Sequence, residues 1–532
     1  MIRINEIKLS LDDDINVIRK KITKKLGIPF DEIISYSVFR ESIDARNKSQ
    51  IFFVYIVDVN VKNEEKILKK VKGISKSPQL AYIDVPSGEK TLKDRPVIIG
   101  SGPAGMFAGL LLAKRGYNPI ILERGEDVDN RTKSIDQFWN ERKLNKESNV
   151  QFGEGGAGTF SDGKLTTRIK DKRCRKVLEE FVEAGAPKEI LYSQKPHIGT
   201  DILKSVVKNM RKIIEYHGGE VLFNSKVTNI IVENNIVKEV EINNSEKIKA
   251  SDVILAIGHS ARDTYHMLNN IGVKITQKPF SIGVRIEHPQ QLINESQYKK
   301  FANHPRLGAA DYRLTYTTIN KRAVYTFCMC PGGSVVAAAS EENMVVTNGM
   351  SEYNRDKENA NSAMLVQVNT SDFESDHPLA GVEFQRKWER AAFEVGGKNY
   401  NAPAQLVEDF LANRSSDKDG EVKPSYQPGV TWTDLGQCLP TFVSEGLKEA
   451  IVEMNKRLKG FALGDAVMTG VETRSSAPIR IERNFDTLES TNIEGLYPIG
   501  EGSGYAGGIV SAAVDGVKMA ELIISKYRSL EK

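Results

Sequence analysis

Apolar and polar residues alternate along the first part of the chain, and the alternation stops where helices are expected. The alternating stretches are typical of half-buried strands and lie at about 2–11, 33–40 and 50–61. A helix is expected after the three aspartates at 12–14, whose carboxylates suit a helix N-terminus, and another over 62–72. This β-α-β-β-α order predicts a small ferredoxin-like α+β domain at 1–92.

A second pattern begins at Arg95, where a short apolar strand, a glycine turn, an apolar helix and another strand follow one another. This order is typical of a βαβ unit. After a loop dense in Gly, Asp and Asn, helices are expected at 173–183 and 199–219. Alternation then returns, and the Asn pairs at 234–235 and 243–244 predict the turns of a β-meander. Residues 93–274 are expected to form the first part of a nucleotide-binding domain.

The rest of the chain divides at about residue 466. Residues 275–465 are mixed and less regular, and we expect them to form an inserted α+β domain that covers a substrate. The chain then returns to the nucleotide-binding domain over 466–532. A chain of 532 residues is longer than a single core usually supports, which agrees with several domains.

The glycine turn of the βαβ unit has the spacing of a dinucleotide-binding fingerprint. Gly100 permits the tight turn, Gly102 lets the backbone approach a pyrophosphate, and Gly105 allows close packing of the helix. The helix start then presents N–H groups to the phosphates. Glu123 ends the next strand, where a carboxylate accepts hydrogen bonds from ribose hydroxyls. The cofactor-binding residues predicted here are Gly100, Ser101, Gly102, Pro103, Ala104, Gly105, Glu123 and Arg124.

A second glycine-rich segment favours FAD among the dinucleotides. An apolar strand ends at Gly500-Glu501 and leads through Gly507-Gly508-Ile509 into a helix. The segment resembles the second FAD fingerprint of glutathione-reductase-like flavoproteins, which implies that Glu501 binds the ribitol. N–H groups near Gly508 and Ile509 would stabilise the negative charge of a reduced flavin. The alternative is a glycine-rich loop before an ordinary helix.

Three further segments are assigned to the same cofactor. The strand ending at Ala256 and Gly258 resembles the one that closes this fold, and Val227 would place its backbone against the adenine. The loop 152–165 is rich in glycine, so its backbone is expected to approach the flavin and pyrophosphate, although a mobile surface lid is the alternative. Its predicted contacts are Gly156, Gly158, Thr159, Ser161 and Lys164.

Seven segments taken together resemble the poorly characterised bacterial FAD-dependent dehydrogenases, also described as NAD(FAD)-utilising dehydrogenases. These segments are RESIDAR (40–46), VIIGSGPAGMFAG (97–109), FGEGGAGTFSDGKL (152–165), KPHIGTD (195–201), KPFSIGVRIEHPQ (278–290), FCMCPGG (327–333) and PIGEGSGYAGGIVSAAVDG (498–516). The resemblance implies an α/β fold with a Rossmann-type FAD-binding domain, the inserted domain and the small N-terminal domain. It implies FAD as cofactor and does not imply a substrate.

Three residues are candidates for catalysis. One hypothesis is that Cys328 and Cys330 form a redox or nucleophilic pair. The alternative is that they are ordinary small apolar residues, because a disulfide across the C-x-C spacing would be strained. Arg474 would clamp an anionic substrate over the flavin, and a surface salt bridge is the alternative. Further candidates, each with an ordinary structural alternative, are Arg480, His197 and His259. No cysteine or histidine spacing indicates a metal site.

The amino-acid composition limits the classes of molecule that the protein is expected to bind. The 74 basic and 70 acidic residues nearly balance, so no global attraction to nucleic acid or membrane is implied. Four cysteines and an N-terminus without a signal peptide favour the cytoplasm, and no segment approaches the length of a membrane span. Residues 1–93 carry 18 basic and 13 acidic side chains. RNA binding by this part, with stacking on Phe52, Phe53 and Tyr55, is therefore kept as an alternative that is not favoured.

The leading hypothesis is an FAD-dependent oxidoreductase that acts on a small molecule. A second Rossmann unit for NAD(P)H is missing from the sequence pattern, so a nicotinamide nucleotide would bind transiently as reductant. A flavin-dependent monooxygenase and an isoprenoid saturase are the alternative enzymes. The sequence leaves the substrate and the oligomeric state undetermined.

Overall fold

A four-stranded antiparallel sheet opens the chain in the computed structural model, which describes residues 1–79 and 81–530. Its elements are β1 (Ile2–Ser10), α1 (Val17–Leu26), β2 (Ile33–Asp44), β3 (Phe52–Val61), α2 (Glu64–Lys70) and β4 (Ile74–Lys76). The strand order β2-β3-β1-β4 is that of a ferredoxin-like fold. The alternation in the sequence did not predict β4, because three residues are too few to show a period.

The aromatic residues of β3 do not form an open stacking surface. Phe53 and Tyr55 pair with Leu9 and Ile7 of β1, and all four side chains are buried in the core. The side chain of Phe52 alone among the three aromatics remains partly exposed. The aromatic platform considered for RNA is therefore mostly part of the packed interior.

The nucleotide-binding domain is built on a five-stranded parallel sheet in the order β23 (Leu496–Pro498), β11 (Val253–Leu255), β5 (Val97–Ile99), β6 (Ile120–Leu122) and β7 (Glu220–Leu222). Its first part contains β5 (Val97–Ile99), α3 (Pro103–Lys114), β6 (Ile120–Leu122), α4 (Val128–Glu141), α5 (Arg173–Glu183), α6 (Thr200–Tyr216), β7 (Glu220–Leu222), β8 (Val227–Glu233), β9 (Ile236–Ile242), β10 (Glu246–Lys249), β11 (Val253–Leu255) and α7 (Arg262–Asn270). Strands β8, β9 and β10 form the expected meander as a separate sheet. This arrangement confirms the Rossmann-type fold.

A seven-stranded sheet in the order β14-β15-β18-β13-β21-β19-β20 dominates the inserted domain. The elements are β12 (Ile275–Gln277), β13 (Phe280–Pro289), α8 (Gln290–Tyr298), β14 (Thr315–Thr317), β15 (Ala323–Cys330), β16 (Ser334–Ala337), β17 (Thr347–Met350), β18 (Asn359–Val368), α9 (Ala380–Val395), β19 (Ala402–Leu406), α10 (Val407–Leu411), β20 (Val430–Trp432), α11 (Thr441–Arg457) and β21 (Val467–Glu472). Strands β13 and β18 are buried along nearly their whole length, which explains why this part shows little alternation. Strand β21 lies beyond the boundary expected at 465.

The chain returns to the parallel sheet through β22 (Ile479–Ile481), β23 (Leu496–Pro498) and α12 (Ile509–Lys526). Helix α12 packs against α3, and a Cβ atom added at Gly516 would lie 2.1 Å from the carbonyl oxygen of Ala104. This close approach holds the two helices together at their N-terminal halves. Because α3 follows β5 and α12 follows β23, both helices begin at the carboxyl edge of the sheet, where α/β folds bind their ligands.

The N-terminal domain contacts both other domains. The backbone of Glu41 exchanges two hydrogen bonds with the segment 192–194, at 2.7 and 2.8 Å. Arg306 of the inserted domain donates to the carbonyl oxygens of Leu11 and Asp13, each at 2.7 Å. Among the described residues, none of the helices has both the length and the apolar character needed to cross a membrane.

Candidate functional site

One large cavity joins the carboxyl edge of the parallel sheet to strands β14 and β15 of the inserted domain. Its volume is about 1330 Å³, which exceeds the roughly 300–1,000 Å³ of a usual single-ligand pocket. The cavity therefore has room for a cofactor and a second molecule.

The first glycine turn reaches the cavity in the conformation that the fingerprint predicts. Gly100 has φ +100°, and a Cβ atom there would lie 2.5 Å from the carbonyl oxygen of Ala256. A Cβ atom at Gly105 would lie 2.0 Å from the carbonyl oxygen of Gly100. Helix α3 starts after Gly102 without a hydrogen bond from a capping side chain. Its first N–H groups therefore suit an anion such as a diphosphate.

The second glycine segment supplies another helix start at the same cavity. Helix α12 begins after Gly508, also without a side-chain cap, and Gly507 and Gly508 are exposed to the cavity. A Cβ atom at Gly507 would meet no protein atom within 4 Å. Two uncapped helix starts on one cavity fit the two ends of a flavin dinucleotide, and this is the arrangement that the sequence predicted.

The carboxylate of Glu123 accepts four hydrogen bonds from the protein itself. One oxygen accepts hydrogen bonds from the backbone N–H and hydroxyl of Ser101 at 2.9 and 2.7 Å. The other accepts from the N–H groups of Gly125 and Gly153 at 2.9 and 3.0 Å. The carboxylate thus joins the glycine turn to the loop 152–165, and it also lines the cavity. Arg124 binds Asp263 at 2.8 Å.

Burial changes the acidity of Glu501 in the second segment. Because the carboxyl group is surrounded by protein, its pKa rises to about 7, and the nearby ammonium group of Lys278 only partly opposes this rise. Glu501 therefore carries only part of a negative charge at neutral pH.

The loop 152–165 lies between the two glycine segments. A Cβ atom at Gly156 would lie 2.9 Å from the Cα atom of Gly102, and one at Gly158 would lie 3.2 Å from the side chain of Ile509. Ser161 lines the cavity and donates to the carbonyl oxygen of Gly158. Thr159 instead donates to the carbonyl oxygen of Glu154 and lies outside the cavity lining, as does Gly105.

Lys164 has a different contact from the one expected. We predicted that its ammonium group would bind phosphate or flavin, but it donates to the carbonyl oxygen of Met329 and lies 3.0 Å from Asp162. Asp162 also binds Arg355 at 2.6 Å, and these two cations hold its pKa below the usual value despite its burial. Lys164 therefore connects the loop to the inserted domain.

The cysteine pair lies in a β-bulge at the cavity wall. Cys328 has φ +40° and its side chain is exposed to the cavity, whereas Cys330 is buried. Arg285 donates to the carbonyl oxygen of Cys328 at 2.9 Å, and the thiol of Cys330 donates to the same oxygen at 3.2 Å. Both thiols are free, and the surrounding protein raises the pKa of Cys328 to about 12. Both therefore stay protonated at neutral pH.

Arg474 belongs to a buried ion cluster and also lines the cavity, so the surface salt-bridge alternative is wrong and the substrate clamp stays a prediction. Its guanidinium donates to both carboxylate oxygens of Glu389 and to the hydroxyl of Ser340. Arg262 of α7 binds the same carboxylate at 2.6 and 2.8 Å. Sequence reasoning missed this cluster, because its members are separated by more than eighty residues and follow no motif.

The two candidate histidines are neutral. His259 lines the cavity, and burial followed by the charge of Arg474 lowers its pKa to about 3. His197 lies outside the lining and contacts the carbonyl oxygen of Tyr353 at 3.0 Å, and burial lowers its pKa. Arg480 is exposed and lies over the ring of Tyr505.

The structure brings most of the predicted cofactor residues together. The predicted residues that line the cavity are Gly100, Ser101, Gly102, Pro103, Ala104, Glu123, Arg124, Gly156, Gly158, Ser161, Lys164, Val227, Ala256, Gly258, Gly500, Glu501, Gly507, Gly508 and Ile509. Within the described residues, no group of three His, Cys, Asp or Glu side chains could hold a metal ion.

Family models match three parts of the chain. Residues 94–264 match the model described as pyridine nucleotide-disulphide oxidoreductase, and residues 279–475 match the one described as FAD-dependent protein, C-terminal domain-like. Residues 1–60 match a domain of unknown function. The two longer matches cover the first glycine turn and the inserted domain, respectively.

Two relatives differ in how much they share with the chain. A protein of Clostridium beijerinckii, described as uncharacterized, is 55% identical over 529 residues, which is 99% of each chain. The digeranylgeranylglycerophospholipid reductase of Haloferax volcanii is 30% identical over 166 residues, covering 31% of this chain and 35% of that protein.

Solved structures resemble the chain at low sequence identity. A halogenase PltM mutant in complex with FAD has a TM-score of 0.41 and 13% identity, covering 82% of this chain and 72% of that one. The L-proline dehydrogenase from P. horikoshii has a TM-score of 0.34 and 14% identity, covering 82% of this chain and 94% of that one.

Proposed function

We propose, because the chain belongs to the family of FAD-dependent oxidoreductases, that one FAD lies along the cavity between the starts of α3 and α12. In this proposal the diphosphate binds at Gly102 to Ala104, and the flavin ring system lies near Gly507 and Gly508. A small organic substrate then occupies the part of the cavity next to β14 and β15. The observation that carries this proposal is the single cavity connecting both uncapped helix starts to the inserted domain.

When bound, FAD supplies the ability to accept or donate two electrons. The residues of the chain prepare the site for that chemistry. N–H groups at the start of α12 place positive partial charge against the flavin. Cys328 presents a neutral thiol to the substrate region, and this thiol is our candidate for direct substrate contact.

We further propose that a nicotinamide nucleotide acts as a transient reductant. The described residues contain one five-stranded parallel sheet, and its first turn and final helix are both assigned to FAD. NADH or NADPH would therefore enter the same cavity as the substrate. A cytoplasmic location and a small-molecule partner remain predictions.

Anaerobic titration of the yellow protein with NADH and NADPH tests this function. We expect the visible absorbance of the oxidised flavin to disappear with one of the two nucleotides. Dithionite reduction of the same sample is the control for a reducible flavin. A flavin that dithionite bleaches and neither nucleotide reduces would contradict the nicotinamide assignment and leave the FAD site intact.

Mixing the reduced protein with oxygen distinguishes a dehydrogenase from a monooxygenase. We expect direct return to the oxidised spectrum without a spectroscopic intermediate. An accumulating intermediate would favour the monooxygenase.

A reductase of unsaturated isoprenoid chains is the second candidate. The observation that favours it is the 30% identity with the Haloferax reductase over 166 residues. Reoxidation of the reduced flavin by a geranylgeranyl lipid under anaerobic conditions would support this candidate. Failure of that lipid to reoxidise the flavin would exclude it.

A further inference from the structure

The part of the cavity beyond the proposed FAD site has its own lining, and we call it the chamber. The inserted domain contributes residues 311–313, 315–317 and 323–330, which include β14 and β15. The nucleotide-binding domain contributes residues 161–164, 166–169 and 195–196. The chamber is therefore formed where the two domains meet, and both domains contribute to its lining.

Basic side chains outnumber carboxylates in the chamber. Asp162 binds Lys164 and Arg355 at 3.0 and 2.6 Å, and Asp311 binds Lys195 at 2.6 Å. The remaining two cations of the lining are the exposed side chains of Arg168 and Arg313. No carboxylate of the described residues lies within 4.0 Å of either guanidinium. The chamber thus has an excess of positive charge, supplied by one arginine from each domain.

Aromatic side chains form the neighbouring part of the wall. Tyr325 and Phe327 follow each other on one face of β15, with ring centroids 6.3 Å apart at an interplanar angle of 90°. Tyr316 of β14 pairs with Val324 and therefore lies on the opposite face of the sheet from this pair. The side chains of Tyr325 and Phe327 are half-buried, and both residues line the cavity. They offer an apolar surface to a flat or unsaturated molecule.

We infer that the chamber binds an organic anion, with its carboxylate or phosphate group at Arg168 and Arg313 and its apolar body against Tyr325 and Phe327. This inference rests on the proposed function, because it names the class of molecule that would meet the flavin. Guanidinium groups recognise carboxylate and phosphate with paired hydrogen bonds, which a neutral analogue cannot replace. The two arginines recognise the charge of the anion, and the aromatic wall recognises the shape of its apolar body.

Calorimetric titration of the FAD-loaded protein with trans-cinnamate and trans-cinnamamide tests the inference. The two probes have nearly the same shape and differ in charge. We expect cinnamate to bind at least about tenfold more tightly, and we expect this preference to fall as salt concentration rises. Equal affinity for the two probes would overturn the inference.

Variants locate the charge recognition. The double variant Arg168→Gln/Arg313→Gln is expected to remove the preference, and Arg168→Lys/Arg313→Lys to retain part of it. Arg390→Gln is the matched control, since Arg390 is an exposed arginine of α9 outside the cavity lining. A preference that survives in the double glutamine variant would overturn the assignment to these residues.

The same samples separate this inference from the proposed function. FAD content and dithionite reduction are measured on each variant before the titration. A yellow, reducible protein without anion preference overturns the inference alone. A protein that binds no FAD overturns the proposed function.

Discussion

Replacing Glu389 with glutamine tests the buried ion cluster that contains Arg262 and Arg474. Glu389 has 0% solvent exposure, and its carboxylate binds Arg262 from the nucleotide-binding domain and Arg474 from the end of the inserted domain. The two guanidiniums hold the pKa of Glu389 well below its usual range, despite burial. The carboxylate is therefore charged throughout the neutral range. It binds both guanidiniums, and Arg262 has a second carboxylate partner in Glu341 at 2.6 Å.

The Glu389→Gln variant leaves those two cations without their shared carboxylate. Breaking a buried ion pair by removing one partner costs about 3–5 kcal/mol, which is a large part of the roughly 5–15 kcal/mol that stabilises a typical protein. We expect a loss of that size in the free energy of unfolding. Because the pKa is depressed, the contribution of Glu389 is present above its unfolded pKa and would be lost only in acid, so the effect should be constant between about pH 6 and pH 8.

Equilibrium urea unfolding, followed by far-UV circular dichroism and tryptophan fluorescence, measures this loss. Glu394→Gln is the matched control, because Glu394 lies on the same helix and forms an exposed ion pair with Lys398 at 2.8 Å. The control should lose less than about 1 kcal/mol. Equal losses in the two variants would refute the reasoning that Glu389 joins the two domains through buried charge.

Three further predictions concern the cavity. Gly507→Ala should weaken FAD binding and leave the stability of the FAD-free protein nearly unchanged, because a Cβ atom there meets no protein atom within 4 Å. FAD titration measures the affinity, and urea unfolding measures the stability. Unchanged affinity for FAD would contradict the proposed flavin position. Cys328 should react with iodoacetamide more slowly than free cysteine at pH 8, because its raised pKa leaves less thiolate. Mass spectrometry of the labelled peptide checks the rate, and labelling as fast as that of free cysteine would contradict the raised pKa. The pKa of Glu501 is raised from 4.5 to about 7, so the free energy of unfolding of the FAD-free protein should fall relative to that of Glu501→Gln as the pH rises between these values. If the unfolding free energies of the two proteins change with pH in parallel, the raised pKa is contradicted.

Local chemistry explains which features the sequence could predict. Gly100 needs φ +100° and close contact with Ala256, so its place in a glycine turn is visible in a few neighbouring residues. Asn234 and Asn235 likewise adopt φ +51° and +61° at the turn between β8 and β9, as their residue type indicated. The Rossmann-type fold was predictable because it depends on such short patterns.

Contacts between distant segments could not be predicted in this way. Arg474 lies five residues before β22 but binds Glu389, and Lys164 lies in the glycine-rich loop but binds the bulge at Met329. Neither partner follows from local spacing, because both depend on how the inserted domain packs. The same cause explains β21, which belongs to the seven-stranded sheet although it lies beyond the expected boundary at 465.

The central claim is that two glycine-rich helix starts bind opposite ends of one FAD. Titration of the FAD-free protein with FAD and with FMN tests it most directly, because FMN keeps the flavin and lacks the adenosine phosphate part. We predict one FAD per chain and binding of FMN that is weaker by about a hundredfold or more. Binding of FMN as tight as that of FAD would show that the first glycine turn does not hold the dinucleotide and would contradict the account.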